Sequence, residues 1–241
     1  MKHRNVRGKI RYLSMKEGME GQERGREWFN FSHHGDGSVV FSAQCEIEEP
    51  EPTVLRNITY HIGADGKPVN LLVHLTVGDE FLGSGWIGYD KKTNKINCES
   101  YGPSIGRNSE VRDAGNFDAF GTHPVAGDGF NTRLMDKSRG PHRRTLRFFL
   151  PSPDHRGATP PQIAELEMVM EYVGKEQKSV EAGSFQCCHY RYVDDSDDGM
   201  GGTRHPNFDM WVSDDDDHIL VYGAIDGYMM NRYELVELDR E

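Results

Sequence analysis

The feature that most constrains this chain is alternation. Val54, Arg56, Ile58, Tyr60 and Ile62 alternate with Leu55, Asn57, Thr59 and His61, and Leu71, Val73, Leu75 and Val77 make a second apolar face of the same period. Successive side chains of an extended strand point to opposite sides of a sheet, so a period of two signals β structure and argues against an amphipathic helix. Further extended runs are read at 26–31, 39–47, 81–89, 96–101, 104–112, 143–150, 166–172, 177–180, 184–193, 208–213, 218–225 and 229–238. Turn residues bound them, and Asp65-Gly66 between two such runs is a strong hairpin signal. Gly83 and Gly85 inside a run suggest a bulge or a close backbone approach. After Pro160-Pro161 a helix competes with a strand, because proline suits a first helical turn, but the alternation from Glu165 to Tyr172 favours the strand.

Helical periodicity is nearly absent, and no solenoid repeat is visible. About a dozen short strands make a meander, and closure into a barrel removes its edges. The expectation is an all-β protein: one domain over 1–241, with a single strongly curved antiparallel sheet closing into a barrel around a central cavity. Two irregular segments break the meander, 113–142 and 151–162. The first is long for a loop in a compact domain, which marks a lid or cavity lining, with a short helix at 117–120 or 127–135.

Charge narrows the partners. Against 28 Lys+Arg stand 39 Asp+Glu, a net charge of −11, which disfavours nucleic acid and anionic membranes. No apolar run is long enough to span a bilayer. Much of the acid lies in Asp194-Asp195-Ser196-Asp197-Asp198 and Asp214-Asp215-Asp216-Asp217, read as exposed tips that discourage edge pairing. The first run resembles the start of a calcium loop, but its twelfth residue is His205 where a bidentate Glu belongs. The basic segment Met1–Gly8 has no apolar stretch after it, and the 4 cysteines form no CxxC pair, so a cytoplasmic chain with reduced thiols is expected.

Eleven histidines supply the chemistry. His123 lies in Gly121-Thr122-His123-Pro124 near Asp128, His155 lies beside Arg156, and His205 precedes Pro206. His189 and Arg191 share one face of a strand with Phe185 and Cys187, a face read here as interior. Histidine is the side chain most easily tuned to exchange a proton near neutrality, so two or three in one cavity can run acid–base chemistry. The plainer alternatives are a satisfied strand histidine at 189, loop capping at 123 and 155, and extended chain before proline at 123 and 205. His123, His189 and His205 could supply a zinc site, but no HxH or HExxH spacing supports one, and no metal is expected. There is no GxSxG elbow, P-loop or dinucleotide fingerprint, and no cofactor is expected.

The segments Tyr172-Val173-Gly174-Lys175-Glu176, Ala182-Gly183-Ser184-Phe185, His205-Pro206, Met210-Trp211-Val212 and Gly227–Leu235 resemble an uncharacterised family of bacterial antiparallel barrel proteins. The wider group is similar to lipocalin-like and lipoprotein-localisation-like folds. The resemblance implies a curved sheet around a cavity and assigns no catalytic residue.

The functional expectation is a cofactor-independent acid–base enzyme, a lyase, isomerase, hydratase or cyclase, acting on a small hydrophobic or aromatic metabolite in the barrel. His123, His155 or His189 would be general acid or base, and Arg191 or Arg156 would stabilise developing negative charge. Trp86, Asp128, His205 and Tyr233 would bind substrate. The alternative is a non-catalytic carrier of a hydrophobic ligand. A homodimer is compatible with either. Convergence of titratable groups on one spot separates the two, since binding alone needs only an apolar pocket.

Overall fold

A computed structural model describes residues 3–196 and 203–241. Asp197, Asp198 and Gly199 of the calcium-like acidic run therefore lie outside the described residues. The strands in chain order are β1 (Arg4–Ser14), β2 (Glu23–His33), β3 (Val39–Ile47), β4 (Val54–Ile62), β5 (Pro68–Val77), β6 (Glu80–Asp90), β7 (Lys95–Gly102), β8 (Gly106–Asp113) and β9 (Ala119–Phe120). After helix α1 (Val125–Asn131) and two 3-10 turns come β10 (His142–Leu150), β11 (Ala164–Val180), β12 (Gly183–Val193), β13 (Phe208–Ser213), β14 (Leu220–Ile225) and β15 (Asn231–Arg240). The alternation in β3, β4 and β13 fixes those strands to the residue, and the run after Pro161 is the 17-residue strand β11.

All fifteen strands form one sheet in the order β8-β7-β6-β5-β4-β3-β2-β1-β15-β14-β13-β12-β11-β10-β9. Every pairing is antiparallel except the short parallel contact of β9 with β10. The basic N-terminal segment is itself a strand: β1 pairs with β2 on one side and β15 on the other, joining the chain ends in mid-sheet. It escapes the sequence reading because its buried residues, Val6, Ile10, Tyr12 and Ser14, alternate with arginines and lysines.

Closure into a barrel is the expectation that needs correction. The sheet curls but no hydrogen-bonded ladder joins its ends. The terminal strand β9 has only two residues, and it meets the opposite wall through side chains: Phe120 N–H donates to the Tyr60 hydroxyl at 3.3 Å, and Phe117 packs edge-on against Tyr89 at 4.9 Å. Strand β8, beyond the curl, is mostly exposed and carries Arg107, Glu110, Arg112 and Asp113, charges that deter pairing at that edge.

Helix α1 fills part of the curl. Its sequence, with Gly127 and Gly129, is a poor helix former, and seven residues are too few to hold a helix alone. Packing overrides propensity here. A Cβ at Gly129 would lie 2.9 Å from Leu220 Cβ, and one at Gly127 would lie 3.0 Å from the Phe41 ring, so glycine lets the helix lie flush on the walls. Phe130 then stacks on Phe31 at 4.9 Å, which in turn stacks on Phe41 at 4.6 Å. Each buried phenylalanine contributes about 1.5–3 kcal/mol by removal from water.

Candidate functional site

The site begins with a carboxyl that alternation turns inward. Glu27 shares the inner face of β2 with Phe29 and Phe31 and is fully buried. Its oxygens accept from the N–H groups of Val125 at 2.8 Å and Ala126 at 3.1 Å, and the Tyr12 hydroxyl lies 2.5 Å away. Glu27 thus satisfies two of the amides that every helix start leaves unpaired, in place of an N-cap side chain. Burial raises its pKa to about 7, against the lowering effect of those three hydrogen bonds and of Arg56.

Beyond this cap lies an inner chamber of about 140 Å³. Its lining is in part apolar, with Phe148, Leu150, Leu166, Met168 and Phe208, and in part titratable, with Asp128, Asp194, His123, His155, His205 and Tyr192. Asp128 lies on the first turn of α1, and its carboxyl faces the chamber. Burial first, and the negative charge of Glu27 second, raise its pKa to about 8, so it is protonated at neutral pH and can donate. The Tyr192 hydroxyl is buried and finds no hydrogen-bond partner among the described residues.

The histidines are tuned the other way. Burial, then the charges of Arg56 and His155, hold His123 well below its ordinary pKa. His205 is also lowered, mainly by burial. Its Nδ1 lies 2.6 Å from the Pro206 carbonyl oxygen, which can only accept, so Nδ1 carries the proton and Nε2 keeps a lone pair. His123 sits at φ 69°, a left-handed conformation uncommon outside glycine, asparagine and aspartate. The chamber therefore combines a protonated acid with neutral imidazoles, the pairing in which environment separates donor from acceptor.

The chamber shares His123, Val125, His155, Met229 and Tyr233 with a second cavity of about 290 Å³, a vestibule between β2, β4 and the 151–162 loop. Arg56, Arg24, Lys16 and Arg156 line it. Arg56 is 1% exposed, donates through Nη2 to the Arg156 carbonyl at 2.5 Å, and leaves Nη1 unpartnered among the described residues.

Of the residues singled out from sequence, His123, His155, His205, Asp128 and Tyr233 line the inner chamber and Arg156 the vestibule. Tyr233 forms a wall and packs edge-on against Tyr12 at 4.8 Å. Three placements differ from expectation. On β12 the inward face is Cys188, Tyr190 and Tyr192, so His189 and Arg191 stand outside. His189 stacks on Trp211 at 4.4 Å and pairs with Asp209 at 2.6 Å, and Arg191 bonds the same carboxylate at 2.8 Å. The reason is register: an inward Phe185 would carry His189 inward, but the aromatic and thiol set on the other parity buries far more apolar surface. Trp86 lies on the outer face of β6, in an open groove with Leu72 and Tyr101. The zinc trio dissolves with His189 outside, and among the described residues no group of three or more His, Cys, Asp or Glu could hold a metal.

Replacing His189 by alanine is expected to cost about 1–2 kcal/mol for the lost stack and hydrogen bond to Asp209 and to leave ligand affinity in the chamber within twofold. Urea unfolding and a probe-binding titration check this; a tenfold loss of affinity would return His189 to the site.

Glu27, Arg56 and Tyr192 were not singled out. Arg56 had a signal, a cation at an inward position of the cleanest alternation in the chain; Glu27 occupies the same parity as Phe29 and Phe31.

Fold and cavity together define a β-barrel-like protein built on one large antiparallel sheet. The chain is similar to a β-barrel-like protein of the domain of unknown function DUF1849 from Brucella abortus, at 14% identity and a TM-score of 0.58, over 100% of this chain and 98% of that one. It also matches a protein with a YmcC-like fold from Bacteroides fragilis, at 8% identity and a TM-score of 0.33, over 99% and 96% of the two chains. No family model and no curated protein matches the sequence. At these identities the likeness to the Brucella protein speaks of the fold alone.

Proposed function

We propose that the chain binds a small apolar or aromatic molecule in the inner chamber and performs cofactor-independent acid–base chemistry on it, a lipocalin-like cavity put to catalytic use. The observation that carries this reading is that Asp128, His123 and His205 line one chamber together with a set of apolar side chains. A carrier needs no such set of titratable groups. In this reading Asp128 is the general acid and donates to a developing anion or leaving group. The Nε2 lone pair of His205 is the general base, with His123 as the second imidazole in reach of the chamber. The apolar lining positions the substrate and strengthens the electrostatics by excluding water.

The reaction class that fits is proton-coupled rearrangement, addition or elimination of water, in the lyase and isomerase range. The site is compatible with a cytoplasmic chain acting on a metabolite.

The test is incubation of the protein with pools of small apolar and aromatic metabolites, read by NMR. Ligands that bind the native protein and turn over, but only bind Asp128→Asn, support the enzyme reading. Ligands that bind and emerge unchanged leave a carrier. Absence of any binding removes both.

A further inference from the structure

The vestibule differs from the inner chamber in one respect: its charge. Lys16, Arg24, Arg56 and Arg156 line it together with His123 and His155, and among the described residues no carboxylate does. This is a cationic hollow in a protein of net charge −11. Part of the charge is already met. Lys16 bonds Glu49 at 2.6 Å, Arg24 lies 3.6 Å from the same carboxylate and bonds Asn231 and the Glu49 carbonyl, and Arg156 donates to the carbonyls of Pro50 and Pro52. Arg56 is not met. Asp154 and Glu27 act on it only through space, and no salt bridge reaches it among the described residues. A guanidinium buried without a carboxylate is costly, and removing such a charge from water is offset only by a partner.

Four of the unpartnered side-chain atoms belong to residues of this one hollow. Arg56 Nη1, His123 Nε2, Arg24 Nε and Arg156 Nε all lack a hydrogen-bond partner among the described residues, and all four residues line this vestibule. A Cβ at Gly157 would lie 2.2 Å from Arg56 Nη2 and 2.8 Å from His123, so only glycine allows the 151–162 loop to press the guanidinium and imidazole together. A guanidinium fork and adjacent donors match the oxygens of a carboxylate or phosphate.

We infer that the vestibule receives the oxyanion head group of an amphiphilic ligand, a carboxylate or a phosphate monoester, while the ligand's apolar body enters the inner chamber. The inference rests on the small-molecule reading of that chamber and adds the substrate class. Arg56 and Arg156 hold the head group at the mouth. The apolar lining from Phe148 to Met168 receives the body. The shared lining at His123, Met229 and Tyr233 is where the two parts of the ligand meet.

Displacement of the neutral fluorophore N-phenyl-1-naphthylamine tests this, with octanoate, octyl phosphate and octanol as competitors of equal chain length. At least one of the two anions is expected to displace the fluorophore at a tenfold or lower concentration than octanol, and the better anion identifies the head group. Arg56→Met removes that preference while leaving octanol affinity within twofold. Should Arg56→Met fail to fold, Arg156→Gln, at the loop surface, weakens only the anions, by threefold or more. Equal displacement by all three competitors overturns the head-group inference and leaves the small-molecule reading standing. Failure of the fluorophore and all competitors to bind removes the small-molecule reading itself.

Discussion

Asp128→Asn stabilises the protein at pH 9 by roughly 3–5 kcal/mol and has an effect near zero at pH 4, taking about 1.4 kcal/mol per pKa unit and discounting for the face turned to the chamber. The folded pKa of Asp128 is about 8, above its ordinary 3.8. Between those values the folded protein keeps a proton that the unfolded chain releases, so the native state loses stability as pH rises across that window. Asparagine has the shape of the protonated carboxyl and no charge to bury, so the variant lacks this slope. Glu27, raised to about 7, contributes the same sign over a narrower range and does so in both proteins. His123 and His205, both lowered, act oppositely: their contribution is present above pH 6.5 and is lost as pH falls below it. The difference between native and variant isolates Asp128. Urea unfolding at pH 4, 6.5 and 9 reads it, and a difference independent of pH would show that the carboxyl ionises normally and is no general acid. The same variant removes the chamber's proton donor, so it separates stability from chemistry: more stable at high pH, inactive throughout.

Glu27→Ala has the opposite character. It is expected to destabilise the fold by about 3–5 kcal/mol, because the Val125 and Ala126 amides and the Tyr12 hydroxyl lose their acceptor in a dry interior. Glu27→Gln costs less, about 1–2 kcal/mol, since the amide oxygen can still accept from the Tyr12 hydroxyl and the Val125 amide, and only the Ala126 amide is left facing an NH₂. Hydrogen exchange at Val125 and Ala126 should accelerate in the alanine variant along with the fall in urea midpoint. Helix α1 carries Asp128, so the alanine variant also weakens ligand binding in the chamber. A cost under 1 kcal/mol with unchanged exchange would mean that α1 holds its place by packing alone.

The contrast between these carboxyls shows what a linear reading can reach. Asp128 was legible as a candidate because it sits near His123 in a long irregular segment, where functional loops concentrate. Glu27 was not. It lies in a strand of ordinary appearance, Glu23–His33, in which Arg24 and Arg26 hold one parity and Glu23 and Glu27 the other, and only pairing with β1 and β3 decides which charge turns inward. His189 failed for the related reason that alternation gives two faces without labelling them. Phe185 and Cys187 on one parity looked as apolar as Cys188 and Tyr190 on the other. The sheet chose the parity that places Tyr190 and Tyr192 among Phe148, Tyr172 and Phe208.

Sequence alone determined the element type along most of the chain, the meander order and the two segments that build the cavity. Those follow from local physics: a period of two, turn residues between runs, and loops too irregular for a ladder. Only the tertiary structure decided that β1 and β15 zip in mid-sheet, that the sheet curls without a closing ladder, and that a glycine-bearing helix plugs it. The vestibule is likewise a tertiary fact. Arg24, Arg56 and Arg156 are far apart in the chain, and the curvature of the sheet brings them onto one hollow where their charges face the same volume. Contacts between residues so distant carry no short-range signature, because the free energy that fixes them comes from burying the whole sheet face at once.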